Sequence, residues 1–390
     1  MKIRLVGFLI IVIITIVVFF IFKERRDHGN GSDELFGEID MHIEDMLQIQ
    51  DLYKLTSLEQ FRTYNPCLFT VEGFDKPFYV YRMSNFTMCL DRKLMKFNKN
   101  RKEDVESHTF ICAPNGEIFK ISHEDTARPK CVRGCEDSRT ITNGNKLYIT
   151  CNSSSGNKCR REMVVMEFDL EEFTKPVAEF HPVFKDERRL VREVEPLSMT
   201  TLKIDFDNHR DQKNWMPFFI KDEMYFVYSI NPHVVLKRVD DTCIKVAETE
   251  HDNLPNNLRG GSQIIPVTKW HLDKPIDVKY DEEKLFLGVI HVREGHHRYV
   301  TYLYAFDREP PFTVRYLTEP FVFAEHGSHK KRVQFASGLA RVIEKENGKE
   351  EAYLYITYGQ DDCDSKLCKI KEEVVMKVLI PVCDIKKIEI

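Results

Sequence analysis

The longest apolar run in the chain is Leu5 to Phe22, interrupted only by Gly7 and Thr15. A bilayer-spanning helix needs about 20 predominantly apolar residues, so this run is close to sufficient. It ends in Lys23-Glu24-Arg25-Arg26-Asp27, with no small-residue cleavage site. A signal peptide that is removed would carry one. The pattern therefore predicts a short cytoplasmic tail over 1–4 and an uncleaved transmembrane anchor over 5–22. Lys2 and Arg4 on one side, against Lys23, Arg25 and Arg26 on the other, leave the orientation undecided by the positive-inside rule. A short span suits the thinner membranes of the early secretory pathway. Residues 23–60 are dense in charge, and Ile39, Ile43 and Met46 recur at helical spacing, which predicts a stem with a short amphipathic helix.

From residue 61 to 390 the pattern changes period. Short runs of aromatic and β-branched residues recur: Phe78-Tyr79-Val80-Tyr81-Arg82, Leu147 to Cys151, Met224 to Ser229, Leu285 to Val292 and Tyr353 to Gly359. Their starts lie 61 to 77 residues apart. A polar, turn-rich stretch precedes each. Such a period suits the blades of a β-propeller, each of about four strands with long loops. Five units over 61–390 predict an all-β, five-bladed propeller. The alternative is a two-sheet sandwich with an extra domain.

Composition refines this picture without redirecting it. The 27 Phe and 15 Tyr favour strands. A formal net charge of −5 gives no reason to expect a nucleic-acid partner. Asn30, Asn85 and Asn152 each begin an acceptor sequon for N-glycosylation. Eleven cysteines is a high count. Cys131/Cys135, Cys151/Cys159 and Cys363/Cys368 cluster as disulfide partners would. No Cys-x2-Cys pair occurs, which argues against zinc. Together these features predict a single-pass type II membrane protein of the Golgi or endoplasmic reticulum, with its body in the lumen.

The polar stretches carry the candidate chemistry. They include Asn65-Pro66, the Arg82 that closes the first apolar run, and Gly134-Cys135-Glu136-Asp137-Ser138-Arg139. Further along come Lys213-Asn214-Trp215, Arg259-Gly260-Gly261-Ser262 and Tyr358-Gly359-Gln360-Asp361-Asp362. In a propeller, inner strands and their loops surround one channel, so these distant motifs would converge on it.

As an ordered series these motifs resemble glycoside hydrolase family 130 and its relatives in glycosyltransferase family 108. Those are five-bladed propellers that act on mannosides as phosphorylases, hydrolases or mannosyltransferases. The resemblance runs over about residues 64 to 365 as short motifs, not as continuous identity. The family's distinctive Gly-x-Glu-Asp-Pro-Arg has Ser138 in place of Pro here. The resemblance implies that Asp137 is the catalytic acid, working through a sugar hydroxyl. It places Arg82 and Lys213 in the sugar and phosphate subsite and makes Asp362 a carboxylate that holds sugar hydroxyls. Arg259, Asn214 and Arg139 are further candidates, and Arg139 would equally serve to hold Glu136 and Asp137 in place.

The chemistry agrees with these residue types. Glycosyl transfer needs a carboxyl group to handle a proton at the transferring oxygen. An acid working near neutral pH needs a raised pKa, which a pocket and a second carboxylate such as Glu136 would supply. Guanidinium and ammonium groups bind phosphate. Trp215 and Tyr358 are of a type that stacks on sugars, yet as single aromatics they read better as core. Asp205-Phe206-Asp207 superficially matches a metal-binding Asp-x-Asp, but that motif belongs to a different fold class. The basic runs His291–Arg298 and His326–Arg332 read as solvated loops, except that His291 directly follows an apolar strand and is kept as a subsite candidate.

The sequence thus predicts a membrane-anchored, lumenal glycosyl-transfer enzyme, mannosyltransferase-like, with Asp137 as general acid/base. Its partners would be a sugar donor (nucleotide sugar or sugar phosphate), a glycan acceptor, and the membrane through residues 5–22. No metal or other cofactor is expected. The alternatives are a mannoside phosphorylase or hydrolase, and a non-catalytic carbohydrate-binding propeller.

Overall fold

Each of the five apolar runs is a strand, because a pleated surface buried on both sides accepts aromatic and β-branched side chains. They are Phe78–Ser84, Lys146–Ser155, Glu223–Ile230, Leu285–Glu294 and Lys349–Gln360. The computed structural model describes residues 42–45, 62–84, 107–122, 134–155, 160–175, 191–206, 213–255, 257–267, 284–294, 298–323, 333–346 and 348–385. Within them, each of these strands is second in its own sheet, and there are five sheets. Five sheets, where a sandwich would have two, remove the alternative architecture.

The polar stretch ahead of each run supplies the inner strand. These inner strands are Arg62–Phe69, Glu136–Asn143, Met216–Ile220, the pair Arg259–Gly260 and Ile265–Pro266, and Gln334–Glu346. They pack in cyclic order. The first touches the second, the second the third, and the fourth sheet bridges the third and fifth. The fifth returns to the first. This closure makes the molecule a five-bladed β-propeller. His42–Asp45 pairs antiparallel with Asp364–Lys371 as the outer strand of the fifth sheet, so the N-terminal side of the body completes the last blade.

Buried polar side chains tie the inner strands across the ring. Thr140 Oγ1 donates to the Leu68 carbonyl at 2.8 Å, and Ser337 Oγ donates to that of Pro66 at 2.7 Å. The Gln263 amide donates to both Leu68 O and Leu339 O, at 2.9 and 2.7 Å. Backbone groups that a narrow propeller axis would leave without partners are satisfied in this way.

The apolar core lies between adjacent blades. Phe69, Phe78, Ile111, Leu147, Ile149 and Phe168 fill the space between the first and second. Met216, Phe218, Phe286, Tyr304 and Phe306 do so between the third and fourth. Both faces of the Leu285–Glu294 strand are therefore covered, and Leu285 to Val292 are buried without alternation.

Several expectations are corrected here. The helix predicted around Ile39–Met46 is not formed over His42–Asp45, which is a strand because it finds the unpaired edge of the last blade. The predicted anchor over 5–22, most of the stem over 23–60 and the sequons at Asn30 and Asn85 lie outside the described residues. Among those described, no helix is long and apolar enough to cross a membrane. Asn152 is 1% exposed within its strand. The cysteines pair differently too. Cys135 bonds Cys151, and Cys368 is free although Cys363 is disulfide-bonded. Sheet pairing brings Cys135 and Cys151 together across neighbouring strands, whereas closeness in sequence does not.

The Cys135–Cys151 bond closes a loop of 16 residues. Replacing both cysteines by Ser should lower stability by about 3 kcal/mol on chain-entropy grounds. The urea midpoint of the double variant measures this; an unchanged midpoint would show that the bond adds nothing to the fold.

Candidate active site

Two β-bulges shape the centre of the ring. In the first blade the register slips between Tyr64 and Cys67, and in the second between Glu136 and Arg139. The extra residues put Asn65 at φ 50° and Asp137 at φ 51°. Asn and Asp tolerate this left-handed region better than other non-glycine residues. Bulges re-aim side chains, and here they aim two at each other: Asn65 Nδ2 donates to Asp137 Oδ1 at 2.7 Å. Asn214 at φ 62°, Asp361 at φ 56° and Asp362 at φ 49° adopt the same conformation.

Arg82 reaches this point from the first blade. Its Nη1 donates to Asp137 Oδ1 at 3.0 Å, its Nη2 to Glu136 Oε1 at 2.8 Å, and its Nε to Ser107 Oγ at 3.1 Å. Its guanidinium lies 4.7 Å from the centre of the Tyr64 ring. Arg161 approaches the other oxygen of Glu136, with Nε 3.4 Å from Oε2. Asp137 keeps 20% side-chain exposure, so it is open to a ligand.

Charge separates the carboxyl groups. Burial favours the neutral form of Asp137. The positive charge of Arg82, the Asn65 hydrogen bond, and the charges of Arg139 and Arg161 outweigh burial and hold it below the usual carboxylate range. Asp362 is pushed up to about 6, by burial first and by the charges of Asp137 and Glu136, against the pull of Arg82. The raised acid expected at Asp137 is therefore found at Asp362, because Arg82 donates directly to Asp137 and not to Asp362.

Arg139, proposed from sequence as a sugar or phosphate contact, is fully buried. Its Nε donates to Gly261 O at 2.6 Å, Nη1 to Asp137 O at 2.7 Å and Nη2 to Asn214 Oδ1 at 3.2 Å. Burial lowers its pKa to about 10. It is a buried brace that locks the Asp137 bulge to the third and fourth blades, not a ligand contact. Two glycines permit the same close assembly. A Cβ on Gly260 would lie 2.3 Å from Asn214 O, and one on Gly359 would lie 2.1 Å from Asn65 Oδ1.

The remaining candidates form a cationic side. Arg259 pairs in register with His291 across two strands of the fourth blade. His291 is 1% exposed, with its ring 5.0 Å from Tyr299 and 5.2 Å from Phe335. Burial pushes its imidazole down to about 3, helped by the positive charges of Arg139, Arg259 and Lys213. Lys213, Arg259 and His291 thus share one neighbourhood. Tyr299 was not found from the sequence, yet it feels the charges of Arg293, Asp362, Arg259 and Asp137 and bridges the two sides. Neither Tyr299 nor Arg161 sits in a motif; only the closing of the ring brings them in. Trp215 and Tyr358 are core residues. Trp215 packs edge-on against Phe226 and Tyr228, and Tyr358 stacks on Phe323 at 3.9 Å. Among the described residues no group of three His, Cys, Asp or Glu side chains is arranged to hold a metal.

Two buried histidines set a pH dependence of stability. Burial pushes His233, like His291, down to about 3. Below pH 6.5 the unfolded chain takes up protons that these two cannot. From pH 7 to 5 each should therefore lose about 2 kcal/mol of stabilisation. Asp362, raised in the folded state, returns about 1 kcal/mol over the same range. A net loss of about 2–3 kcal/mol is expected in urea titrations at pH 7 and 5. Equal stability at both pH values would contradict the neutral, buried state of the histidines.

No family model matches the chain. Beta-mannosyltransferase 2 of two strains of Komagataella phaffii is 32% identical over 216 residues, covering 48% of this chain and 29% of the relative. The matched part is less than a third of the length of those relatives. Among solved structures, a glycosyl hydrolase from Bacteroides ovatus aligns over 80% of this chain and 84% of its own, at 12% identity and a TM-score of 0.47. A β-xylosidase/α-arabinofuranosidase from a compost metagenome covers 82% and 91%, at 11% identity and 0.37. Neither structural likeness bears on the chemistry of the site.

Proposed function

We propose that the chain is a glycosyl-transfer enzyme, mannosyltransferase-like, taking a sugar from a phosphate-linked donor to a glycan acceptor. The observation that carries this reading is the two-sided site. A carboxyl side of Glu136, Asp137 and Asp362 faces sugar hydroxyls, and a cationic side of Lys213 and Arg259 beside His291 faces phosphate. The mannosyltransferase name of the partial relatives supports the sugar class. Asp137 meets a sugar hydroxyl and serves as general acid/base. Its ionised state favours transfer over hydrolysis or phosphorolysis, since transfer from phosphate begins by accepting a proton and the other two by giving one. The anchor over 5–22 would hold the body in the Golgi or endoplasmic-reticulum lumen, beside growing glycans.

Calorimetry with a nucleoside-diphosphate mannose and with free mannose tests the two-sided site. The Lys213→Ala, Arg259→Ala double variant should bind the nucleotide sugar at least tenfold more weakly and free mannose unchanged. Equal loss for both ligands, or none for either, would remove the phosphate side from the proposal.

A further inference from the structure

Arg82 stands among three carboxyl groups but serves only two of them. Its Nη1 and Nη2 are committed to Asp137 and Glu136, and its Nε to Ser107. Asp137 receives a second donor from Asn65, and Glu136 receives the approach of Arg161. Asp362 has no hydrogen bond or ion pair with a described residue, although it is partly buried and lies in the same field. Its backbone is held in a left-handed turn. There the neighbouring Asp361 accepts from Val333 N at 3.0 Å and returns its own N–H to Val333 O at 2.8 Å. The charged and titratable groups acting on Asp362 are Arg82, Asp137, Glu136 and Asp361, and its own charge is felt by Tyr64 and Tyr299.

A carboxylate gripped by a guanidinium and an amide makes a poor resting place for a proton, and one without donors makes a good one. We infer that Asp362 is the second proton-carrying carboxyl of the site: Asp137 touches the reacting sugar, and the proton that it passes comes to rest on Asp362. The inference rests on the transfer reading above. In the step, the acceptor's O–H bond breaks as its oxygen bonds to the anomeric carbon. The bond from that carbon to the donor phosphate breaks, and its electron pair leaves with the phosphate. The proton passes by way of Asp137 and a bound sugar hydroxyl to Asp362, which becomes neutral and later releases it to water. Two carboxyl groups whose surroundings push their acidities apart make a recurring acid/base arrangement.

Infrared difference titration of the full-length protein without ligand reads the proton directly. The C=O band of a protonated carboxyl should appear as pH falls through about 6. It should vanish in Asp362→Asn. In Asp137→Asn it should persist and move to lower pH, because a neighbouring negative charge is gone. In turnover, Asp362→Asn should lower kcat by about 10²-fold or more and lose the acidic limb of the rate profile. Asp362→Glu should restore part of both. A residue that only holds a sugar hydroxyl would instead raise KM and leave the limb in place. A band that persists in Asp362→Asn, or a kcat within threefold of the parent with the limb unchanged, overturns the inference alone. Silence of the parent protein with every donor overturns the transfer reading, and the inference with it.

Discussion

Replacing Asp137 by Asn should reduce turnover by about 10²- to 10⁴-fold, the range for losing a positioned acid/base group. The fold should survive. Asn keeps the size of the side chain and still accepts from Asn65, and Arg82 retains Glu136 and Ser107. The left-handed conformation at φ 51° is also within reach of Asn. The loss should fall on kcat, with donor affinity changed only slightly, because the cationic side is untouched. Steady-state kinetics beside a thermal melt separates these outcomes. Activity within tenfold of the parent would remove Asp137 from the chemistry.

Removing Arg82 should act on stability as well as on function. Its guanidinium is buried, yet burial is outweighed by Tyr64, Glu136, Asp137 and Asp362, and its pKa is raised. Arg82→Met would leave these carboxyl groups crowded without the cation that spans them. Breaking a buried pair from one side costs about 3–5 kcal/mol. The sign of the pH dependence follows. In the variant Asp137 loses the main influence holding its pKa down, and Asp362 loses the opposing charge of Arg82, so both should bind protons at higher pH than in the parent. The stability gap between parent and variant should therefore be widest at neutral pH and narrow as pH falls below 6. Urea midpoints at pH 7.5 and 5.5 measure it. A gap that is constant across this range would show that Arg82 contributes packing and not charge.

The five-fold repeat was legible because each blade buries its second strand on both faces, which forces runs such as Leu285 to Val292 into one unbroken apolar stretch. The inner strands were harder to read. They look polar because they carry the site, so Glu136–Asn143 reads as a loop motif although it is a strand with a bulge. That bulge also explains why Asn65 reads in the sequence as part of a motif and not as a partner of Asp137. Its bond to Asp137 spans 72 residues and depends on two register slips that no local pattern announces. Arg139 shows the reverse case: a residue within the signature whose work is internal, bracing Asp137, Asn214 and Gly261. Cys135 and Cys151 meet because neighbouring strands align them, which spacing alone does not specify.

The left-handed residues at the heart of the ring give the site its rigidity. Asn65, Asp137, Asn214 and Asp362 come from four different blades or their connecting turns, and all adopt a conformation that regular strands do not use. Backbone strain of this kind persists where surrounding contacts over-determine it, and it concentrates at working sites. Here the contacts are Arg82, Arg139 and the close approaches at Gly260 and Gly359.

The most direct test of the account is product formation by the full-length protein in detergent, with its disulfides intact. It would be supplied with a panel of nucleotide sugars and mannoside acceptors, and separately with mannosides and inorganic phosphate, beside the Asp137→Asn variant. The account predicts a new glycosidic bond from a mannose-bearing nucleotide donor, lost in the variant. Release of mannose 1-phosphate from the phosphate mixture alone, or product at equal rates from parent and variant, would contradict it.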